Sequence, residues 1–196
     1  MTDIAFASVL YSERDIQRRV AELGGEVTAR FAGRSPVLIS VLKGGAIFLA
    51  DLIRSVDLPL RVDFMSISRY GGSSSGVVRV LKDLDQDVGG EDVLLVEDIV
   101  DTGLTLSYLL TTLAAREPAS LTVCTLLDKS VRRITPLDIP FRGFDCPDRF
   151  VVGYGLDHEE RYRNLPFILA VGDQSALSEH PDALSEFLRE MSVPEA

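Results

Sequence analysis

The sequence predicts an α/β protein with a mainly parallel central sheet covered by helices on both faces. Two observations carry this. Short apolar runs of strand length, among them "PVLISVL" at 36–42, "VLLV" at 93–96 and "SLTVCTLLD" at 120–128, read as buried strands. Stretches with helical spacing lie between several of them, so strands and helices alternate along the chain. The length agrees: 196 residues fit one domain, 1–196, able to bury about 70% of its unfolded surface.

Taken in order, Ser12 followed by Asp15 resembles a capping box, with an acid where Glu or Gln is usual. Behind it Ile16, Val20, Leu23, Val27 and Phe31 recur at helical spacing and predict a first helix. The strand at 36–42 is rich in β-branched residues, and "AIFLADLIRSV" after it is helical, with Ile47, Ala50, Leu52 and Ile53 on overlapping faces. "LRVDFMSIS" alternates as a strand does. The soft stretch "YGGSSSG" at 70–76 holds too little apolar surface to pack and predicts a mobile loop inside the domain. Strands follow at about 77–81 and 92–97, then a helix from about Leu104 to Arg116 and the strand at 120–128. "FVVGY" and "FILAV" are two further strands, and Leu184, Phe187, Leu188 and Met191 give an amphipathic closing helix at about 181–191. No internal repeat or linker interrupts the chain.

Composition excludes several classes. Thirty acids against twenty bases give a net charge of −10, which argues against general nucleic-acid binding. Cys124 and Cys146 stand apart from each other and from His158 and His180, so neither a zinc site nor a disulfide framework is indicated. The first residues, "MTDIAFASVLYSERD", have no basic region leading a long apolar core, and the most apolar stretch, 37–53, is broken by Lys43, Gly44, Gly45 and Asp51. The expectation is a cytoplasmic protein that binds no membrane.

The chemistry concentrates in "VLLVEDIVDTGLTL", 93–106, where Glu97, Asp98 and Asp101 adjoin a Gly-Thr loop suited to an anion. In open α/β sheets ligands bind beyond the carboxyl ends of the strands. Residues 101–105 can turn amides inward, Gly103 can adopt positive φ, and Thr102 and Thr105 offer hydroxyls at a helix N-terminus. The GxxxxGK[ST] loop is absent, so this is not a Walker site. The acids suit neighbouring hydroxyls instead, because an ionised carboxylate only accepts hydrogen bonds and ribose offers two donors on adjacent carbons. A phosphate at one end and a vicinal diol in the middle describe a 5′-phosphoribosyl group.

At this point the chain resembles a known family, the purine and pyrimidine phosphoribosyltransferases, in the bacterial hypoxanthine-guanine branch. The resemblance rests on "VLLVEDIVDTGLTL" together with "VLKGG" at 41–45, "LLDKSVRR" at 126–133 and "DRFVVGYGLDHEERYRNLPF" at 148–167, in that order. It implies the type I phosphoribosyltransferase fold, with a small hood and a mobile lid loop at about 69–77. It also implies phosphoribosyl diphosphate and a 6-oxopurine base as substrates, IMP and GMP as products, Mg2+ as cofactor, and a homodimer or homotetramer.

Residue by residue, the resemblance assigns Glu97 and Asp98 to the ribose hydroxyls and to Mg2+. It makes Asp101 the general base beside N7, and gives the 5′-phosphate to Asp101, Thr102, Gly103, Leu104 and Thr105. Lys43 and Gly44 would form a diphosphate loop that includes a non-proline cis peptide, and Arg163 would bind diphosphate. Lys129 would donate to the purine O6, Phe150 would stack on the base, and Val151 would meet its pyrimidine edge through the backbone. Asp157 is placed among the purine-binding residues and among the Mg2+ ligands, directly or through water. Read without the resemblance, Lys43 is a solvated charge at a strand end, Lys129 a surface lysine, Phe150 ordinary core and "EERYR" a solvated turn. One departure stands out: the lid's usual Ser-Tyr pair reads Arg69-Tyr70 here, in a short lid. Tyr70 remains the candidate lid residue. Two rival readings are a pyrimidine or adenine phosphoribosyltransferase, which would lack the Lys129 and 150–157 signatures, and a non-catalytic RNA-binding regulator, which would need a basic face.

Overall fold

A computed structural model describes residues 7–70, 77–172 and Leu184. In chain order its elements are β1 (Ala7–Tyr11), α1 (Glu13–Arg30), β2 (Val37–Leu42), α2 (Gly45–Ser55), β3 (Arg61–Tyr70), β4 (Val77–Lys82), β5 (Asp92–Val100), α3 (Leu104–Ala114), β6 (Ser120–Asp128), a 3-10 turn (Ser130–Arg132), β7 (Phe141–Asp145), β8 (Phe150–Val152) and β9 (Ile168–Val171). They fall into two compact units, Gln17–Asp148 and Met1–Ile16 with Arg149–Ala196.

The larger unit is built on a six-stranded sheet in the order β4-β3-β2-β5-β6-β7. Every neighbouring pair is parallel except β3 with β4, which form an antiparallel edge. The apolar runs become its centre, with β2 buried along almost its whole length. A sheet covered on both faces requires this, since successive side chains point to opposite sides. One face joins Val37, Ile39, Met65, Val93, Leu95 and Val123 to Leu106, Leu109 and Leu113 of α3. The alternate residues Leu38, Leu94, Val96, Cys124 and Leu126 are buried on the other. That side belongs to α2, because a Cβ built on Gly45 would meet Ser40 Oγ, and to α1, whose Gly24 abuts Ser55 at the end of α2.

Local rules explain the start of α1. Ser12 Oγ accepts from the Asp15 amide at 3.2 Å and donates to the Asp15 carboxylate at 2.6 Å, so the acid answers the cap. The predicted stripe of Ile16, Val20, Leu23, Val27 and Phe31 is buried throughout.

The smaller unit holds a three-stranded antiparallel sheet in the order β1-β9-β8. Its core joins Ala7, Val152, Leu169, Val171 and Leu184, with Phe150, Tyr162, Leu165 and Phe167 packed against it. The strands read at "FVVGY" and "FILAV" are therefore partners of each other here, the part that the expected fold sets apart as a hood. Of the closing helix expected at 181–191 only Leu184 is described, helical and buried. The lid expected at 69–77 lies largely outside the described residues, as does the Tyr70 side chain.

Sequence pattern missed two strands. β1, "ASVLY", is short and exposed at Ser8 and Val9, so it carries no apolar run. β7, "FRGFD", hides behind an arginine and a glycine, and Gly143 is there for room: a Cβ would stand 3.1 Å from the Leu126 carbonyl carbon on β6. β5 also runs further than expected. It pairs with β6 through Ile99↔Leu127 and Val100↔Asp128, so Asp98 lies within the strand as Glu97 does, and the strand runs on past the expected end at 97. No helix among the described residues is long and apolar enough to cross a membrane.

Candidate active site

In the larger unit the carboxyl ends of β2, β5 and β6 carry most of the predicted residues. β2 ends at Leu42, and the Leu42-Lys43 peptide is cis, as expected at this position. Gly44 then opens α2, with its backbone lying on the Asp98 side chain. A Cβ on Gly44 would overlap the Asp98 carboxylate and stand 2.8 Å from its Cγ. One Asp98 oxygen accepts from the Ile99 amide at 2.8 Å. Strand alternation sends Glu97 to the opposite face of β5 from Asp98. Among the described residues, Glu97 Oε1 is enclosed and without a hydrogen-bond partner. Burial pushes its carboxyl well above the usual carboxylate range, and the neighbouring Asp98 charge adds to that. An enclosed carboxyl with an unused oxygen is suited to a hydroxyl donor or a cation.

Asp101 is the first residue past β5. Its Oδ1 is enclosed and lies 3.1 Å from Arg132 Nε, an ion pair lacking hydrogen-bond alignment. Gly103 takes φ 88°, the left-handed conformation the sequence expects, and opens α3, to which Ser107 ties back through a 2.8 Å bond to the Gly103 carbonyl. Residues 104–107 contain no acid, so the positive end of α3 is left for an external anion. Thr102 Oγ1 is 3.5 Å from the Leu104 amide.

Lys129 follows β6, and its amide donates to the Val100 carbonyl at 2.9 Å, which ties it to the end of β5. The residue is only 7% exposed, which removes the surface-lysine reading. Thus Lys43, Gly44, Glu97, Asp98, residues 101–105 and Lys129 all stand on adjacent strand ends of one sheet.

The smaller unit carries the rest. Phe150 starts β8, half-buried, and meets His158 edge to face at 5.7 Å. Val151 is buried beside it, paired with Ala170. Asp157 accepts from the Glu160 amide at 2.9 Å and pairs with Arg163 Nη2 at 2.8 Å. Arg163 Nη1 donates to the Gly155 carbonyl at 2.8 Å, and its Nε, enclosed, has no partner. The "EERYR" stretch is therefore an organised turn around an ion pair.

Sequence reasoning passed over Arg132 and Arg133, whose side chains meet Asp101 in the 101–103 loop, and Asp128, which pairs with Arg133. The only available signal was their position beside Lys129. Among the described residues no cluster of three or more His, Cys, Asp or Glu side chains could enclose a metal ion by itself. The oxygen donors present fit a hard cation that brings some of its ligands with the substrate.

Residues 8–159 match the phosphoribosyl transferase domain family. The chain belongs to the phosphoribosyltransferases, glycosyltransferase enzymes that move a phosphoribosyl group. Members it matches include hypoxanthine-guanine and hypoxanthine phosphoribosyltransferases. The hypoxanthine-guanine phosphoribosyltransferase of Mycobacterium avium is 54% identical over 169 residues, spanning 82% of this chain and 83% of that one. That of Bacillus subtilis (strain 168) is 52% identical over 162 residues, spanning 82% and 90%. The crystal structure of a hypoxanthine-guanine phosphoribosyltransferase from Bacillus anthracis superposes with a TM-score of 0.82 at 45% identity, covering 85% of this chain and 99% of that one.

Proposed function

We propose that the chain transfers the 5-phosphoribosyl group of phosphoribosyl diphosphate to N9 of hypoxanthine or guanine, giving IMP or GMP and diphosphate in purine salvage. The observation that carries this is the run from Glu97 to Leu104. Two carboxylates stand near the end of a buried strand, and a left-handed Gly103 then opens a helix whose first turn has no acid. The carboxylates accept from the ribose 2′- and 3′-hydroxyls, and the amides and hydroxyls of residues 101–105 bind the 5′-phosphate. Lys43 and Gly44 take the diphosphate. Asp101, beside N7, holds or removes the imidazole proton as N9 attacks, while the nearby carboxylates favour the positive charge that develops on the sugar. The Lys129 ammonium donates to O6.

In the smaller unit, Phe150 stacks on the base, Val151 meets its pyrimidine edge and Arg163 binds diphosphate. Glu97 and Asp98 of the larger unit and Asp157 of the smaller one offer oxygens that would hold Mg2+, which would supply neutralising charge for the leaving diphosphate. The same reading takes 1–196 as one domain, acting in the cytoplasm as a homodimer or homotetramer, with Tyr70 in its lid.

Steady-state rates with hypoxanthine, guanine, xanthine and adenine, at fixed phosphoribosyl diphosphate and Mg2+, test it. Hypoxanthine and guanine are turned over. Adenine presents a 6-amino donor to the Lys129 donor and falls at least about 10³-fold behind. Comparable turnover of adenine overturns the assignment.

A further inference from the structure

The segment after β6 is tied at three points to the end of β5 and the 101–103 loop that follows it. The Lys129 amide donates to the Val100 carbonyl at 2.9 Å, the Ile134 amide to the Thr102 carbonyl at 3.1 Å, and Arg133 Nε to the Asp101 carbonyl at 3.2 Å. The first two are main-chain bonds, available to most sequences. The third depends on one side chain. Arg133 is well covered, and its guanidinium also grips the carboxylate of Asp128, itself buried. Its stem lies over Gly103, where a Cβ would stand 2.9 Å from Arg133 Cδ. The other Asp128 oxygen is 3.6 Å from Arg142 Nη1, so the Asp128 charge has a second partner from β7.

Asp128 faces Val100 across the β5–β6 ladder and directly precedes Lys129. One rigid fork of donors therefore spans the loop leaving β5 and the strand end that carries Lys129, a geometry an ammonium on a flexible stem cannot reproduce. We infer that Arg133 is a positioning residue that fixes the 101–105 loop relative to Lys129, so that 5′-phosphate binding and purine reading are coupled. The inference rests on the proposed function, in which that loop binds the phosphate and Lys129 reads O6. Arg133 acts through the Asp101 carbonyl and the Gly103 backbone, not on the substrate.

The plainer role would be to neutralise Asp128, and two variants separate the roles. Arg133→Lys keeps the charge but cannot bridge both acceptors. The double variant Asp128→Asn, Arg133→Met removes both buried charges together and leaves no carboxylate stranded. The readout is the ratio of guanosine to GMP dissociation constants by calorimetry, which isolates the tightening due to the 5′-phosphate, alongside Tm and the KM for hypoxanthine. In both variants Tm stays near that of the unmodified protein, the phosphate-dependent tightening falls about 10-fold or more, and the hypoxanthine KM rises with it. If Arg133→Lys does not fold, the double variant decides. A folded variant that keeps the unmodified ratio overturns the inference while leaving the proposed function standing. An unmodified protein that binds guanosine and GMP equally overturns the phosphate loop itself, and the inference with it.

Discussion

The backbone of Gly44 rests on the carboxylate of Asp98, so closely that a single methyl group on Gly44 would overlap it. Two predicted functions, a diphosphate loop after β2 and a ribose-binding acid on β5, thus share one contact. Gly44→Ala must move either the loop or the carboxylate. Misplacement of this size lowers kcat/KM by about 10²-fold or more, without loss of the circular-dichroism signature of the fold. Near-normal kinetics would show that the contact is not needed.

Glu97 makes stability depend on pH. Its carboxyl is held well above the usual range, first by burial and then by Asp98. The folded chain therefore keeps a proton that the unfolded chain releases once pH passes the ordinary glutamate value of about 4.3. Stability is greatest below that value, falls as pH rises, and levels off when the folded carboxyl ionises. Glu97→Gln has no such proton to lose. Without ligand or metal it melts higher than the unmodified protein at pH 8, by a few degrees on the scale of about 2–4 °C per kcal/mol, and shows no such advantage at pH 4. Thermal melts at the two pH values check this, and a difference independent of pH contradicts it.

Much of this was legible in the sequence, for physical reasons that differ between residues. The buried strands, the capped α1 and the left-handed Gly103 follow from local pattern and backbone sterics, which one sequence displays directly. β7 was not legible, because Gly143 is set by the approach of β6, a contact distant in sequence. Nor was the extension of β5 through Val100, which depends on pairing with β6. Lys129 illustrates the limit for sites. Its residue type and neighbours suit a surface, and only its 7% exposure and its bond to Val100 separate the two readings. Asp128 and Arg133 were marked only by their place beside Lys129, since Arg133 meets the 101–103 loop through a tertiary contact and Asp128 acts through its pairing with Arg133.

Asp157 and Arg163 form a partly exposed ion pair, 23% and 29% exposed at Arg163 and Asp157, 2.8 Å apart. Pairs of this exposure contribute little to stability, roughly 0–1 kcal/mol. Asp157→Asn keeps the acceptor for the Glu160 amide but removes the nearer opposing charge from Arg163, leaving it Glu160 Oε2 at 3.6 Å. Tm changes by a few degrees at most, while the KM for phosphoribosyl diphosphate rises about 10-fold and more Mg2+ is needed for half-maximal rate. Mg2+ titrations at several substrate concentrations check this. An unchanged Mg2+ requirement would remove Asp157 from the metal's surroundings.

Asp101 carries the proton transfer in the proposed reaction. Its Oδ1 is enclosed beside Arg132 Nε at 3.1 Å, at the start of the loop that would hold the 5′-phosphate. Asparagine has nearly the same shape and still accepts a hydrogen bond, but it cannot take the proton from N7. The most direct measurement is turnover of hypoxanthine by Asp101→Asn, with phosphoribosyl diphosphate affinity measured by calorimetry on the same preparation. Turnover falls on the order of 10²–10⁴-fold while the affinity changes by no more than about threefold. Near-normal turnover with tight binding would contradict this role and reduce Asp101 to a loop residue.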